Sequence, residues 1–302
     1  MHSVARHVQL AARPHALRHH RRHMCAALNG FAELMQRGLG VHQRLSELEE
    51  PIATALIERG WCALDGVMDY EAAEHVRHEM EALYKDGTYS LSYSETAETR
   101  EKIWRPGVYA RELESESWRA APTLVCFLSE LMATLPDVVN GGLDKVSSAT
   151  NTPLMAPMIS SSIFGHKLAV SVEDDAKYPK HLDNVSGGAD KRKLTAVYYS
   201  NPAWDLETQG GAIRLYDGLD PPGYTDVAPC GEGGADRLLL FWSDMIVHEV
   251  LPMRKARELD AEDEARGHRH TFTVWLTTEN DLSLLDPRSP LFKLREAHYP
   301  ER

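Results

Sequence analysis

Cysteine is scarce in this chain: four residues in 302, Cys25, Cys62, Cys126 and Cys230, far apart and with no CxxC pair. That excludes a disulfide framework and a cysteine-ligated zinc site, and points to a reducing compartment, cytoplasmic or nuclear. Long apolar runs are missing too; none reaches the roughly 18 consecutive residues of a membrane span, so no membrane partner is expected. Positive charge is in deficit, with 33 Lys and Arg against 45 Asp and Glu and a formal net charge of −12. A surface of that sign does not suit general nucleic-acid binding. There is no internal repeat and no long low-complexity linker. Acid is absent before Glu33, where Arg6, Arg13, Arg18, Arg21, Arg22 and six histidines accumulate. Such a start fits either a disordered tail or an organelle-targeting segment over residues 1–32.

What is present is enough apolar residue, 43% of the chain, for a sizeable core. The apolar spacing predicts helices first. One begins with Pro51 near its first turn, carries Ile52, Leu56 and Ile57, and stops at Gly60. WCALDGV (61–67) reads as a strand. Asp69 caps a second helix with Ala73, Val76, Met80, Leu83 and Tyr84 on one face, ended by Gly87. A third helix runs over 117–135, and Pro136 closes it. From about residue 164 the period changes to two, with short strands at 193–200, 211–217, 237–242, 245–250 and 270–277, separated by Gly/Pro-rich turns. Many short strands after a helical front predict an α+β, mainly β, fold: a jelly roll with the N-terminal helices packed on one sheet.

YPKHLDN (178–184) places a histidine and an aspartate two apart. One HxD is expected by chance in a chain of this length, so the pair alone is weak. On a strand, however, i and i+2 share a face, so His181 and Asp183 would converge without a helix. His248, within the apolar strand MIVHEV, is the third candidate ligand. Two histidines and one carboxylate with open positions are the ligand set of non-haem Fe(II) oxygenases. A diacid cosubstrate needs a cation for its far carboxylate, and Arg269 in RHTFTVWL supplies a planar fork. Thr273 shares its face, and Tyr199 in AVYYS offers a hydroxyl.

With these segments in hand, the stretch from about 50 to 280 resembles the Fe(II)/2-oxoglutarate-dependent prolyl 4-hydroxylases, closest to the oxygen-sensing type that acts on hypoxia-inducible factor. YPKHLDN, KLTAVYYSNPAWDLETQGGAIRLY, LLFWSDMIVHEVLPM and RHTFTVWL carry the resemblance in the family's order. It implies a double-stranded β-helix with His181, Asp183 and His248 holding Fe(II), and Arg269, Tyr199 and Thr273 binding 2-oxoglutarate. O2 is the oxidant and ascorbate the reductant. The implied domains are an N-terminal extension (1–45), a dioxygenase domain (46–285) and a C-terminal tail (286–302). The implied activity is hydroxylation of a C–H bond, foremost a prolyl residue of a protein or peptide to 4-hydroxyproline, by a monomer. The segment 88–113 resembles the family's substrate-covering hairpin, with Trp104, Arg100 and Tyr178 as substrate contacts. Three departures stand out. His248 and Arg269 are 21 positions apart, more than in the oxygen-sensing enzymes. Ser171 occupies a cosubstrate-site position where those enzymes have tyrosine. Residues 136–163 have no counterpart. The alternatives are a hydroxylase of a free amino acid or other small molecule, an inactive jelly-roll binding module, and a zinc hydrolase with the same ligands.

Overall fold

Two antiparallel sheets face one another in the computed structural model, which describes residues 29–95, 101–114, 116–150, 159–187, 189–202, 204–255 and 267–300. The chain divides into Met1–Gly38, where a helix covers 29–37 (α1), and a unit spanning Leu39–Arg302. The second unit is wider than the expected 46–285. Val41 and Leu45 of α2 (Val41–Glu47) are fully buried, and at the other end α7 (Pro290–His298) buries Leu291, Leu294 and Arg295. The expected C-terminal tail is therefore mostly a packed helix, capped by the Ser289 side chain on the Leu291 amide.

The larger sheet has seven strands in the order β1 (Trp61–Asp65), β9 (Arg237–Trp242), β6 (Arg192–Tyr199), β11 (Arg269–Thr278), β4 (Ile159–Ser171), β3 (Lys102–Arg111) and β2 (Ser90–Glu95). The smaller has four, β5 (Tyr178–His181), β10 (His248–Val250), β7 (Ile213–Leu215) and β8 (Thr225–Val227). This is the expected jelly roll, with helices on the outer face of the large sheet. The central strands read as near-continuous apolar runs because both of their faces are covered. Phe127 of α5 (Pro122–Thr150) shows this from the helical side, its ring centroid 4.3 Å from that of Tyr198 on β6.

Two helices behave as their sequence signals require. In α4 (Tyr70–Lys85) the Asp69 carboxylate accepts from the Ala72 amide at 2.8 Å, and Val76 and Met80 are fully buried. Helix α3 (Glu49–Glu58) holds Pro51 in its first turn. The third helix departs from expectation. It starts at Pro122 and passes through Pro136 to Thr150, taking in half of the segment that had no counterpart. An interior proline costs a hydrogen bond, about 3 kcal/mol. Leu131, Leu135, Val139 and Leu143 are all buried around it, and burial of each contributes about 1.5–3 kcal/mol, so the stripe outweighs the break. Gly142 lets α3 come close: a Cβ there would lie 2.6 Å from the Glu49 carbonyl oxygen and 2.9 Å from the Ala53 Cβ. By length and composition α5 would also suit a membrane span, but its apolar stripe is occupied by the core.

Candidate metal and cosubstrate site

The cleft between the sheets takes its walls from both. His181 and His248 are directly opposed in the small sheet, on β5 and β10. Their rings lie 4.3 Å apart, centroid to centroid. Asp183 does not share a strand with His181 as expected. β5 ends at His181, and Asp183 sits in the bend that follows. The side chains converge all the same: Asp183 Oδ1 is 3.5 Å from His181 Nε2 and 3.8 Å from His248 Nε2.

The tautomers follow from the partners. His181 Nδ1 lies 2.7 Å from the Pro179 carbonyl oxygen and His248 Nδ1 lies 3.0 Å from that of Ile246. A carbonyl can only accept, so each Nδ1 carries the proton and donates it. Each Nε2 therefore turns a bare lone pair toward the other and toward Asp183. Burial lowers the pKa of His248 to about 4, with the nearby His181 acting in the same direction and Asp183 opposing it, so the ring is neutral at pH 7. The Asp183 carboxyl is buried, but His248, His181 and the Trp275 hydrogen bond outweigh that burial and hold its pKa far below the usual carboxylate range. Its other oxygen, Oδ2, accepts from Thr195 Oγ1 at 2.7 Å and Trp275 Nε1 at 2.9 Å. Those two donors leave Oδ1 for the centre.

Arg269 opens β11 at 2% exposure. Its Nε donates to the Gly211 carbonyl at 2.8 Å, and a terminal nitrogen lies 3.5 Å from the Tyr199 hydroxyl. Gly211 has φ of +72°, and a Cβ there would press 3.1 Å from Arg269 Cδ, so the Gly-Gly step shapes the guanidinium's seat. Among the described residues no carboxylate pairs with Arg269. A nearly buried guanidinium without an anion, facing a cleft, is a seat for one. Burial pushes the Tyr199 hydroxyl up, and Arg269 partly counters it, so the phenol stays protonated. Strand alternation puts Thr273 on the same wall, and Tyr199, Val197 and Thr195 likewise line the cleft. The residues present fit a divalent metal at the triad and a diacid reaching from it to Arg269.

The expected substrate contacts divide three ways. Tyr178 lines the cleft. Trp104 is 50% exposed on the β2–β3 hairpin, stacked edge-on to Tyr93 at 5.1 Å, and is not part of the cleft wall. Arg100 lies outside the described residues. Ser171 is buried opposite Arg269 in the β4–β11 pairing.

A second pair of imidazoles with a carboxylate went unread in the sequence. Glu81 Oε2 is 3.0 Å from His268 Nδ1 and 2.9 Å from His270 Nε2, all three residues buried. These are hydrogen-bond lengths. Here the outer-partner test fails, because His270 Nδ1 is buried with no partner. If Nε2 bound a metal, that atom would be an N–H with no acceptor. As a donor through Nε2, the ring leaves only a lone pair unmatched. The cluster is thus a hydrogen-bonded brace behind β11, with Arg269 between its two histidines and turned to the opposite face. The only sequence signal was the HRH triplet, whose partner lies 187 residues earlier.

Comparison with known proteins agrees with this geometry. Residues 167–277 match the model of the 2OG-Fe(II) oxygenase superfamily. The chain is similar to the hypoxia-inducible factor prolyl hydroxylase of Caenorhabditis elegans, 25% identical over 82% of this chain and 31% of that protein. It is likewise similar to Egl nine homolog 1 of Homo sapiens, 26% identical over 75% of this chain and 46% of that protein. The chain thus spans a third to a half of the length of these relatives. Among solved structures, a Trichoplax adhaerens prolyl hydroxylase in complex with a hypoxia-inducible factor peptide fragment superposes with a TM-score of 0.59 at 23% identity, over 80% of this chain and 94% of that one. A Pseudomonas putida prolyl-4-hydroxylase gives 0.51 at 19% identity, over 76% and 98%, which shows the shared fold.

Proposed function

We propose that the chain is an Fe(II)- and 2-oxoglutarate-dependent dioxygenase that hydroxylates a C–H bond, foremost that of a prolyl residue in a protein or peptide, giving 4-hydroxyproline. The observation that carries the reading is one cleft holding two bare imidazole lone pairs, an oriented carboxylate and an unpaired guanidinium. His181 Nε2, His248 Nε2 and Asp183 Oδ1 would hold the ferrous ion, with two neutral rings and one anion leaving it about one net positive charge. When bound, iron and 2-oxoglutarate supply activation of O2, with the oxoacid converted to succinate and CO2 as substrate C–H becomes C–OH. Arg269 and Tyr199 would bind the far carboxylate, Thr195 and Trp275 keep Asp183 aimed, and Phe241, Val197 and Ile213 keep the walls dry. Ascorbate would serve as reductant. All these side chains belong to one chain, so the reading needs no second subunit. Proline as the substrate rests on the resemblance to prolyl hydroxylases alone.

The unpaired Arg269 also separates this reading from a zinc hydrolase, which would have little use for it. The test is incubation with Fe(II), ascorbate and 2-oxoglutarate, with succinate assayed and proline-containing peptides examined by mass spectrometry. Succinate formation that His181→Ala abolishes, with a gain of one oxygen on proline, is expected. No succinate from metal-loaded protein would overturn the oxygenase reading; oxygen gained on a free amino acid alone would overturn the peptide substrate.

A further inference from the structure

Near the metal triad stand two cations that the chemistry above leaves unused, Lys167 in the cleft wall and Arg105 behind the cleft-lining Tyr178. Tyr178 lies one register step along β5 from His181, paired with Val250 as His181 is with His248. Its ring has Arg105 Cζ of β3 at 4.7 Å and Lys167 Nζ of β4 at 5.2 Å. Lys167 Nζ also lies 5.6 Å from the Trp275 ring, whose Nε1 holds Asp183. Lys167 lines the cleft. Among the described residues, neither cation has a carboxylate partner. Arg105 donates one NH to Ser92 Oγ at 3.2 Å, while its Nε is buried with no partner, as is the Tyr178 hydroxyl. Ring faces attract cations but do not accept hydrogen bonds as a carboxylate does, so these donors stay unmet. Burial lowers the Arg105 pKa, and only Tyr178 opposes it.

These cations serve a different anion from the one Arg269 would take. Lys167 stands opposite Thr273 in the β4–β11 register, and Arg269 stands opposite Ser171. Four strand positions separate them, roughly 13 Å of backbone. The Lys167 end is the one next to Trp275 and the Asp183 carboxylate. An anion there would belong to the molecule being hydroxylated, close to its reacting carbon.

We propose that Lys167, Arg105 and the Tyr178 hydroxyl form a carboxylate subsite, so that the preferred substrate carries an acidic group beside the carbon to be hydroxylated. The proposal rests on the dioxygenase reading above. The carboxylate has two available sources, an Asp or Glu next to a prolyl residue in a peptide, or the α-carboxylate of a free amino acid. The recognition chemistry is the same for both.

The experiment compares two probe pairs on the full chain with Fe(II), ascorbate and 2-oxoglutarate: a proline peptide flanked by Asp against its Asn isostere, and L-proline against L-prolinamide. Hydroxylated product is quantified by mass spectrometry. The charged member of one pair should show roughly ten- to hundredfold higher kcat/KM, the range of a charge-assisted hydrogen bond. Which pair discriminates identifies the source. Lys167→Met and Arg105→Gln should each collapse the ratio, and Lys167→Glu should invert it, favouring a Lys-flanked peptide. Lys167 is only partly buried, so its variants keep the test valid if Arg105→Gln does not fold. Equal kcat/KM within both pairs, or a ratio unchanged in the Lys167 variants, would overturn the subsite. Succinate formation by the wild type keeps the outcomes apart: with succinate and no charge preference, only the subsite fails; with no succinate, the dioxygenase reading fails and the subsite with it.

Discussion

Replacing Thr195 by valine removes one hydroxyl and keeps the shape of a β-branched strand residue. In the wild type that hydroxyl donates to Asp183 Oδ2 at 2.7 Å, and Trp275 is the other donor to the same oxygen. Hydrogen bonds to charged groups contribute about 1.5–3 kcal/mol. Without this one, the carboxylate can rotate about the remaining Trp275 contact, and Oδ1 is no longer held toward the two Nε2 atoms. Metal affinity should fall roughly 10- to 100-fold, the usual cost of losing an orienting partner of a ligand. The Ser243 hydroxyl, 2.8 Å from Thr195 Oγ1, loses a neighbour as well, so stability should drop by about 1 kcal/mol. The assay is calorimetric titration with Mn(II), with Thr195→Ser as the control that keeps the hydroxyl. Unchanged affinity in Thr195→Val, or an equal loss in Thr195→Ser, would refute the idea that this bond aims the carboxylate.

Acid should destabilise the brace behind β11. Glu81 is held well below the usual carboxylate range, because the His268 and His270 contacts outweigh its burial, and burial lowers His270. A depressed histidine loses stability as pH falls below about 6.5, where the unfolded chain protonates first, and a depressed carboxylate adds to the loss below about 4.5. Melting temperature should therefore fall from pH 7.5 to 5, and more steeply in Glu81→Gln than in wild type, because Glu81 opposes the lowering of His270 by burial; parallel curves would contradict this. Lys193→Met should cost about 3–5 kcal/mol by urea unfolding, since it strands Asp244, which is fully buried and receives Lys193 Nζ at 2.9 and 3.0 Å. Asp244→Asn combined with Lys193→Met should recover part of that loss. Gly142→Val should cost at least about 1–3 kcal/mol, because its Cβ overlaps the Glu49 carbonyl, and a neutral effect would mean that α3 yields more readily than its packing indicates.

The strands and the convergence of His181, Asp183 and His248 were legible because they carry local signals. Period-two alternation identified β4, short apolar runs between Gly/Pro-rich turns identified β6, β9 and β11, and the order of HxD, distal histidine and arginine pointed to the site. Asp183 was read onto a strand it does not occupy, because alternation is the simplest way to make two side chains converge and a bend achieves the same end. Pro136 was read as a stop because the local cost of proline is visible in sequence and the tertiary burial that offsets it is not. His268 and His270 were passed over as neighbours of Arg269, since Glu81 joins them only through the fold. Nothing in the sequence around Lys167 points to Arg105 or Tyr178; only the closeness of β3, β4 and β5 brings the three together.

The most direct measurement is calorimetric binding of 2-oxoglutarate to protein with and without Mn(II), for wild type, His248→Ala and Arg269→Gln. Wild type should bind one metal and then one diacid, with the diacid failing to bind metal-free protein. His248→Ala should lose both, and Arg269→Gln should keep the metal while losing at least tenfold in 2-oxoglutarate affinity. Arg269→Gln binding 2-oxoglutarate as tightly as wild type, or wild type taking up metal with no gain in affinity for the diacid, would contradict the account.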